Sequence, residues 1–227
     1  MVKVSKRKKS FVDVVADSQK AVSLEDAVEM IEKFPAVKFD ETVEVHVSLN
    51  ISVKSSDQMV RGTVILPNGT GKKVRIVVVC KGEQVQVAEQ NGADFVGGTE
   101  LIDKIANGFM DFDCVIATPD MMRDLSKLGK MLGPRGLMPS PKAGTVSADV
   151  ERVIKEIKAG RVEFKSDKQA GIHVGVGKRS FSKDQLKENV RHLLEAIDHA
   201  KPSSVKGDLI KSLYLSTTMG PGLRIVV

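Results

Sequence analysis

The chain of 227 residues has no tryptophan, one tyrosine, two cysteines and four histidines, and each scarcity closes off a class of explanation. With Tyr214 as its lone tyrosine and no RNP1-like run, it lacks the aromatic platforms on which sheet-type RNA readers stack bases. Cys80 and Cys114 each sit in an apolar, strand-like run without CxxC or Cys/His spacing. They read as reduced, buried small hydrophobes of a cytoplasmic protein, not as a disulfide frame or a metal site. Long apolar runs are missing as well: Ile76 to Cys80 is strand-sized, against the roughly 20 residues that a spanning helix requires. The start Lys6-Arg7-Lys8-Lys9 has the charge of a secretion signal, but Phe11 to Ala16 is interrupted by Asp13 and is too short for the apolar core of one. It reads as a cationic arm, and no membrane partner is expected.

Motifs for nucleotide and catalytic chemistry are also absent. Against GxxxxGK[ST], Gly71-Lys72-Lys73 has Leu66 in place of the first glycine, and Gly177-Lys178-Arg179 has Ile172 there and lacks the hydroxyl. After the apolar run ending at Cys80 stands Lys81-Gly82-Glu83-Gln84-Val85-Gln86, without the GxGxxG of a dinucleotide site. His46, His173, His192 and His199 have no nucleophile motif beside them, and His192 with His199 reads as a solvated helix edge. Asp111 and Asp113 flank Phe112 in a turn, where acids are common; a metal or shared-proton role is the sharper alternative. No catalytic residue, cofactor or metal is expected, and a small-molecule enzyme using the middle of the chain is the competing class.

What is present is positive charge and one strongly patterned strand. The net charge of +6 and pI near 9.2 suit a polyanionic partner, most simply nucleic acid. In Lys38 to Ile51 the apolar residues Val43, Val45, Val47, Leu49 and Ile51 fall on every second position, with Thr42, Glu44, His46, Ser48 and Asn50 between them. That is a half-buried strand with a polar outer row; any antiparallel sheet shows such a row to water, and a reading face is the other possibility.

Ser23 caps a preceding helix carrying Leu24, Ala27, Val28 and Ile31, which Pro35 ends. A second strand runs from Met59 to Leu66, and Pro67 to Lys73 is a turn or linker. From Arg75 the style changes to alternating strands and helices: strands at Arg75 to Cys80, Ala93 to Val96 and Cys114 to Ala117; helices at Glu83 to Gln90, after a Thr99 cap, after Pro119, and with Val150, Val153, Ile154 and Ile157 up to Ala159-Gly160. This reads as a small parallel α/β domain. Half-buried strands then return, with Val162 and Phe164 on one and Ile172, Val174 and Val176 on its neighbour. A Ser182/Gln185 capping box opens a helix with an apolar stripe of Leu186, Val190, Leu193, Leu194 and Ile197, and strands at Leu209 to Thr218 and Leu223 to Val227 finish the chain. Neither outer part makes a core alone. The economical solution is one domain from residues 1–67 plus 160–227, with residues 68–159 inserted.

Two glycine-proline segments stand out. Gly133 to Thr145 is long, basic and restricted, with Leu137 and Met138 expected at its surface, and reads as a stiff connection or a contact loop. Ser216-Thr217-Thr218-Met219-Gly220-Pro221-Gly222 ends a strand. Alternation with Leu213 and Leu215 puts Tyr214, Ser216 and Thr218 on its outer face, while Met219 could turn either way. Hydroxyls, glycine and lysine on a rigid sheet suit RNA recognised through 2′-OH and phosphate groups.

The blocks Lys38 to Glu44, Ser56 to Thr63, Gly92 to Gly98, Asp111-Phe112-Asp113, Ala117 to Asp120, Leu132 to Thr145, Ile157 to Arg161 and Thr217 to Pro221 together resemble the L-one family of bacterial large-subunit ribosomal proteins, the protein of the mobile exit-site stalk. The resemblance implies a discontinuous α+β sandwich domain built from both termini and an inserted Rossmann-like, three-layer α/β domain without a dinucleotide. It implies a non-enzymatic, cytoplasmic protein of the ribosome, monomeric outside it, that binds 23S rRNA. It further implies help in releasing deacylated exit-site tRNA and repression of translation of its own operon mRNA. The RNA-binding residues it implies are Lys38, Phe39 and Thr42 with Thr217, Thr218, Met219 and Gly220, then Glu44 as an acceptor for a 2′-OH, and Lys165, Lys168 and His173 in a neighbouring strand and loop. Asp40 and Glu41 read as turn formers, and His46, Ser48 and Asn50 as a solvated row. The chain departs from the family's pattern at Ser52, where an acid is expected, and at Gly222, a variable position.

Overall fold

The computed structural model describes residues 9, 11, 20–52 and 56–226; most of the basic arm, part of the polar connection at 54–58 and the last residue lie outside these. In chain order the elements are α1 (Leu24–Glu32), β1 (Thr42–Leu49), β2 (Arg61–Ile65), β3 (Ile76–Val79), α2 (Gln84–Gln90), β4 (Phe95–Gly97), α3 (Thr99–Ala106), β5 (Cys114–Ala117), α4 (Met122–Leu125), α5 (Gly129–Leu132), α6 (Val150–Lys158), β6 (Arg161–Lys165), β7 (Gly171–Lys178), α7 (Lys183–His199), β8 (Ile210–Thr217) and β9 (Leu223–Ile225). They fall into two compact units, Met1–Gly71 with Val162–Val227, and Lys72–Arg161.

The first unit is organised on β1. An antiparallel sheet of order β7-β1-β8-β9 surrounds it. Val43, Val45, Val47 and Leu49 point into a core shared with Val28 and Ile31 of α1 and Leu186, Val190, Leu193 and Ile197 of α7. The intervening Thr42, Glu44, His46 and Ser48 remain partly exposed, as the alternation requires. The strand ends two residues before the expected Ile51, because the pairing with β8 shifts between Ser48 and Leu49. The Asn50 N–H then donates to the Leu209 carbonyl at 2.8 Å.

The expected pairing of the Val162–Phe164 strand with the Ile172–Val176 strand is not what forms: β6 pairs with β2, and β7 with β1. The short link between them carries the chain from one sheet to the other. Asp167 Oδ1 accepts from the N–H groups of Gln169 and Gly171, both at 2.7 Å, and Ala170 adopts a left-handed φ of 62°. Ser166 then ties β2, its N–H donating to the Val60 carbonyl at 2.8 Å.

On α7 the Ser182/Gln185 capping box forms as read, but the apolar stripe contains a fully buried amide. Asn189 Nδ2 donates to the carbonyls of Val176 (2.7 Å) and Gly69 (2.9 Å), and its Oδ1 accepts from the Asn68 N–H (3.1 Å). One side chain thereby satisfies three backbone groups of two other segments.

The second unit is a parallel sheet of order β4-β3-β5 with helices on both faces. β3 is buried on both sides: Val77 and Val79 face Leu101 and Ile105 of α3, whereas Ile76 and Val78 face Val153 and Ile154 of α6. Thr99 lies inside α3, not at its cap, which is Gly98. Leu137 and Met138 are half-buried against the core, so the glycine-proline segment does not present them to solvent. Asp111 and Asp113 both receive Arg75, and the Arg75 bonds hold the Asp113 carboxyl down at about 2. Their role in the fold is to pin the start of β3. Among the described residues no helix is long and apolar enough to cross a membrane.

Replacing Asn189 with leucine keeps the bulk but strands three backbone groups. It is expected to lower the unfolding free energy by about 2–4 kcal/mol, read as a fall in the urea midpoint. A midpoint equal to the parent's would show that the amide contributes nothing net.

Candidate nucleic-acid interface

Residues directly opposite one another on paired strands share a face, so the register defines the outer surface of the sheet row by row. Thr42 lies opposite Lys178. Glu44 lies between Gly175 and Ser216, His46 between His173 and Tyr214 with Arg224 beyond, and Ser48 between Gly171 and Ser212. Hydroxyls, glycines, imidazoles and charges cover this face, and Tyr214 is its one large ring.

At the Thr42 end, segments from the first and last parts of the chain meet. The Thr218 N–H donates to the Thr42 carbonyl at 3.1 Å, and the Thr42 N–H donates to Thr218 Oγ1 at 3.0 Å. Lys178 Nζ donates to Thr42 Oγ1 at 3.0 Å. Lys38 and Phe39 lie just ahead of β1 and are exposed, Phe39 to 53 %. Across from them Met219 turns outward, 50 % exposed. Gly220 is packed so closely that a Cβ there would stand 2.4 Å from Thr217 Oγ1 and 3.0 Å from the Phe34 ring, so only glycine fits.

Beneath this surface lies the largest departure from expectation. Glu41 is no turn former: it is fully buried. Its Oε2 accepts from Arg179 Nη1 at 2.8 Å, and its Oε1 from the Thr217 hydroxyl at 3.2 Å and the Met219 N–H at 3.0 Å. The same guanidinium donates to the carbonyls of Glu32 (3.2 Å), Phe34 and Pro35 (3.3 Å). Arg179 thus gathers the end of α1 and the segment carrying Lys38 and Phe39, and Glu41 fixes the turn carrying Thr217 to Gly220. Asp40 is likewise a tie, accepting from the Ser180 hydroxyl at 2.7 Å and its N–H at 3.2 Å.

Thr217, buried against Glu41, has its side chain inside the fold, not on the face. Glu44 sits one row in from Thr42. Lys165 ends β6, Lys168 follows in the loop, and His173 stands in the third row, all exposed. Lys165 thus belongs to the separate β2-β6 pair, while His173 stands about 15 Å along β7 from Lys178. Lys178 and Arg179 were not among the expected site residues. Extending the buried alternation of Ile172, Val174 and Val176 puts Lys178 on the inside. The register slip between Val43 and Glu44, a bulge at Val176, turns it out beside Thr42 instead. No cluster of three or more potential metal ligands occurs among the described residues.

Residues 31–221 match the ribosomal protein L1p/L10e family, a span that includes both halves of the Thr42 end. The chain is 54 % identical over 209 residues to the large ribosomal subunit protein uL1 of Protochlamydia amoebophila, covering 92 % of this chain and 89 % of that protein. It is 52 % identical over 226 residues to uL1 of Fervidobacterium nodosum, covering 99 % and 96 %, and 50 % identical over 226 residues to uL1 of Thermus thermophilus, covering 99 % and 98 %.

Removing one partner of a buried ion pair leaves the other without compensation, so Glu41→Gln is expected to cost about 3 kcal/mol of stability. In Glu41→Gln/Arg179→Met, where no unpaired charge remains, part of that loss should return. Urea unfolding of both variants checks this; a double variant no more stable than Glu41→Gln would mean that hydrogen bonds, not the stranded charge, dominate.

Proposed function

Because the chain belongs to the ribosomal protein L1p/L10e family, we propose that it binds 23S rRNA through the outer face of the β7-β1-β8-β9 sheet. It is a structural, non-enzymatic constituent of the large ribosomal subunit, located in the cytoplasm. The observation that carries the rRNA reading is the meeting of Lys38, Phe39 and Thr42 with Thr218, Met219 and Gly220 at one exposed, internally bonded edge of that face.

The chemistry suits RNA. A flat row of hydroxyls and glycines lets a sugar-phosphate backbone approach, and Thr42, Thr218 and Ser216 offer both donors and acceptors to 2′-OH groups. Phe39 and Met219 are the exposed apolar groups that can lie against a base or ribose, an arrangement that needs no aromatic-rich sheet. Lys38 and Lys178 supply charge for phosphate. Glu44 accepts from a 2′-OH and repels a misplaced phosphate, which favours one register of the RNA. Lys165, Lys168 and His173 extend the contact along the face. Thr217 acts from below by holding the turn. The two compact units are proposed to be separate domains, the one drawn from both termini carrying the rRNA site and Lys72–Arg161 the inserted one. In the ribosome the protein is proposed to assist release of deacylated exit-site tRNA, and off the ribosome to act as a monomer that represses its own operon mRNA by binding a mimic of the rRNA site.

If about four to six phosphates are neutralised, log affinity for an rRNA fragment should fall against log salt with a slope of roughly −3 to −5. Phe39→Ala removes an exposed ring and leaves the urea midpoint alone, yet it should weaken binding by about 1–3 kcal/mol. Filter binding decides both: a slope near zero sinks the electrostatic part, and parental affinity removes Phe39 from the site. Residues 1–71 joined by a short linker to 162–227 should keep most of the rRNA affinity; binding by residues 72–161 alone would reverse the assignment of the two units.

A further inference from the structure

In the third row of the face, His46 and His173 lie directly opposite one another, and their Nδ1 atoms are 2.8 Å apart. Two imidazole nitrogens in such contact share one hydrogen; with a hydrogen on each, the two N–H groups collide. The outer nitrogens are placed as well. His46 Nε2 is 2.9 Å from Ser216 Oγ, which can accept or donate, and 3.9 Å from Glu44 Oε2; His173 Nε2 is 3.6 Å from Asp167 Oδ2. The pair therefore accommodates either two neutral rings or two rings with a single added proton. It excludes the doubly protonated state.

From β1 the neighbouring charged group is Glu44, from the β6–β7 loop Asp167, and from β8 the titratable Tyr214, with Arg224 of β9 on its far side. With both rings neutral, the nearest charges are the two carboxylates, which oppose a phosphate backbone. One proton on the pair offsets one of them. We propose that the His46–His173 pair is a single-proton site on the RNA-binding face, loaded when RNA phosphate lies over it, so that RNA affinity rises as pH falls through the histidine range. This rests on the rRNA reading of the face given above. Burial pushes the His46 imidazole below its ordinary value, and His173 adds to this while Glu44 opposes it, in keeping with resistance to a second charge.

A proton bound one pKa unit more tightly in the complex corresponds to about tenfold in affinity. The test has two arms on the full chain. Without RNA, nitrogen NMR of the imidazoles should show His46 and His173 taking up one proton jointly between about pH 8 and about pH 5. With an rRNA fragment at fixed ionic strength, affinity should rise about threefold to tenfold from about pH 8 to about pH 6. His46→Gln should flatten that rise, and so should the exposed-site variant His173→Gln. Two independent, complete protonations in the free protein would overturn the proposal. So would a joint proton with RNA affinity indifferent to pH, or a pH response unchanged in both variants. A joint proton with no RNA binding at any pH overturns the rRNA reading itself, and is told apart by its intact titration.

Discussion

The first unit depends on a charge pair whose carboxylate water does not reach: Glu41 is fully buried and Arg179 mostly so. Arg179 and Glu41 lie between the end of α1, the start of β1, the end of β7 and the turn after β8, and besides bonding each other their side chains reach backbone or hydroxyl groups at the end of α1 and in the turn after β8. A buried pair of this kind contributes little net stability compared with packed apolar groups, because desolvation offsets the attraction. What it supplies is directional: a guanidinium fork and a carboxylate can each satisfy several partners at fixed angles. The segments they hold have no regular structure of their own between residues 33 and 41. Without the pair, nothing in helix or sheet geometry would set where Lys38 and Phe39 stand relative to Met219.

The long-range pairing of this unit has a cost of its own. β1 pairs with β7 and β8, which follow more than a hundred residues later, and closing such loops costs entropy that grows slowly with length. β2 and β6 shorten the task. Arg61 and Glu163 form an ion pair at 2.6 Å, and the Val60 N–H donates to Ser166 Oγ at 3.2 Å, so the chain is brought back on itself just outside the inserted unit. That unit is built from nearer contacts, parallel strands joined through α2 and α3. Asn189, which binds Asn68, Gly69 and Val176 at once, then locks α7 onto the same crossing.

Much of this was legible in the chain, and the remainder was hidden for identifiable reasons. The period-two pattern of β1 gave its buried and exposed rows residue by residue, because burial on one side of a sheet enforces that period. The Ser182/Gln185 cap is a local interaction and was readable as such. Glu41 was not: its partners Arg179, Thr217 and Met219 are 138 to 178 residues away, and nothing adjacent in sequence distinguishes a buried carboxylate from one in a turn. The Lys178 side chain was hidden by a bulge, which moves a residue across the sheet without changing the composition of the strand. Leu137 and Met138 look exposed in a glycine-proline loop until the core against which they pack is known. For the face itself, the residue types were readable from both termini, while their juxtaposition needed the fold.

Seen from the surface, the Thr42 end owes its character to how few degrees of freedom it retains. The Met219 amide is held by Glu41, Thr218 is bonded through both N–H and hydroxyl to Thr42, and Gly220 is seated against Phe34. The exposed Phe39 and Met219 side chains are left to adjust, whereas the Lys178 ammonium is bonded to Thr42 Oγ1. Binding a flexible single-stranded or looped RNA carries an ordering cost on the nucleic-acid side, and each protein group fixed in advance removes a cost from the other side. Lysine-rich surfaces bind RNA by charge alone and tolerate many sequences and shapes. On the proposed reading, a rigid ridge of hydroxyls with two apolar prongs and an acid one row behind accepts fewer of them, because a misplaced phosphate would meet Glu44. On the proposed rRNA reading, the basic balance of the whole chain brings RNA near, and the Glu41–Arg179 pair, by fixing the ridge, selects which RNA stays.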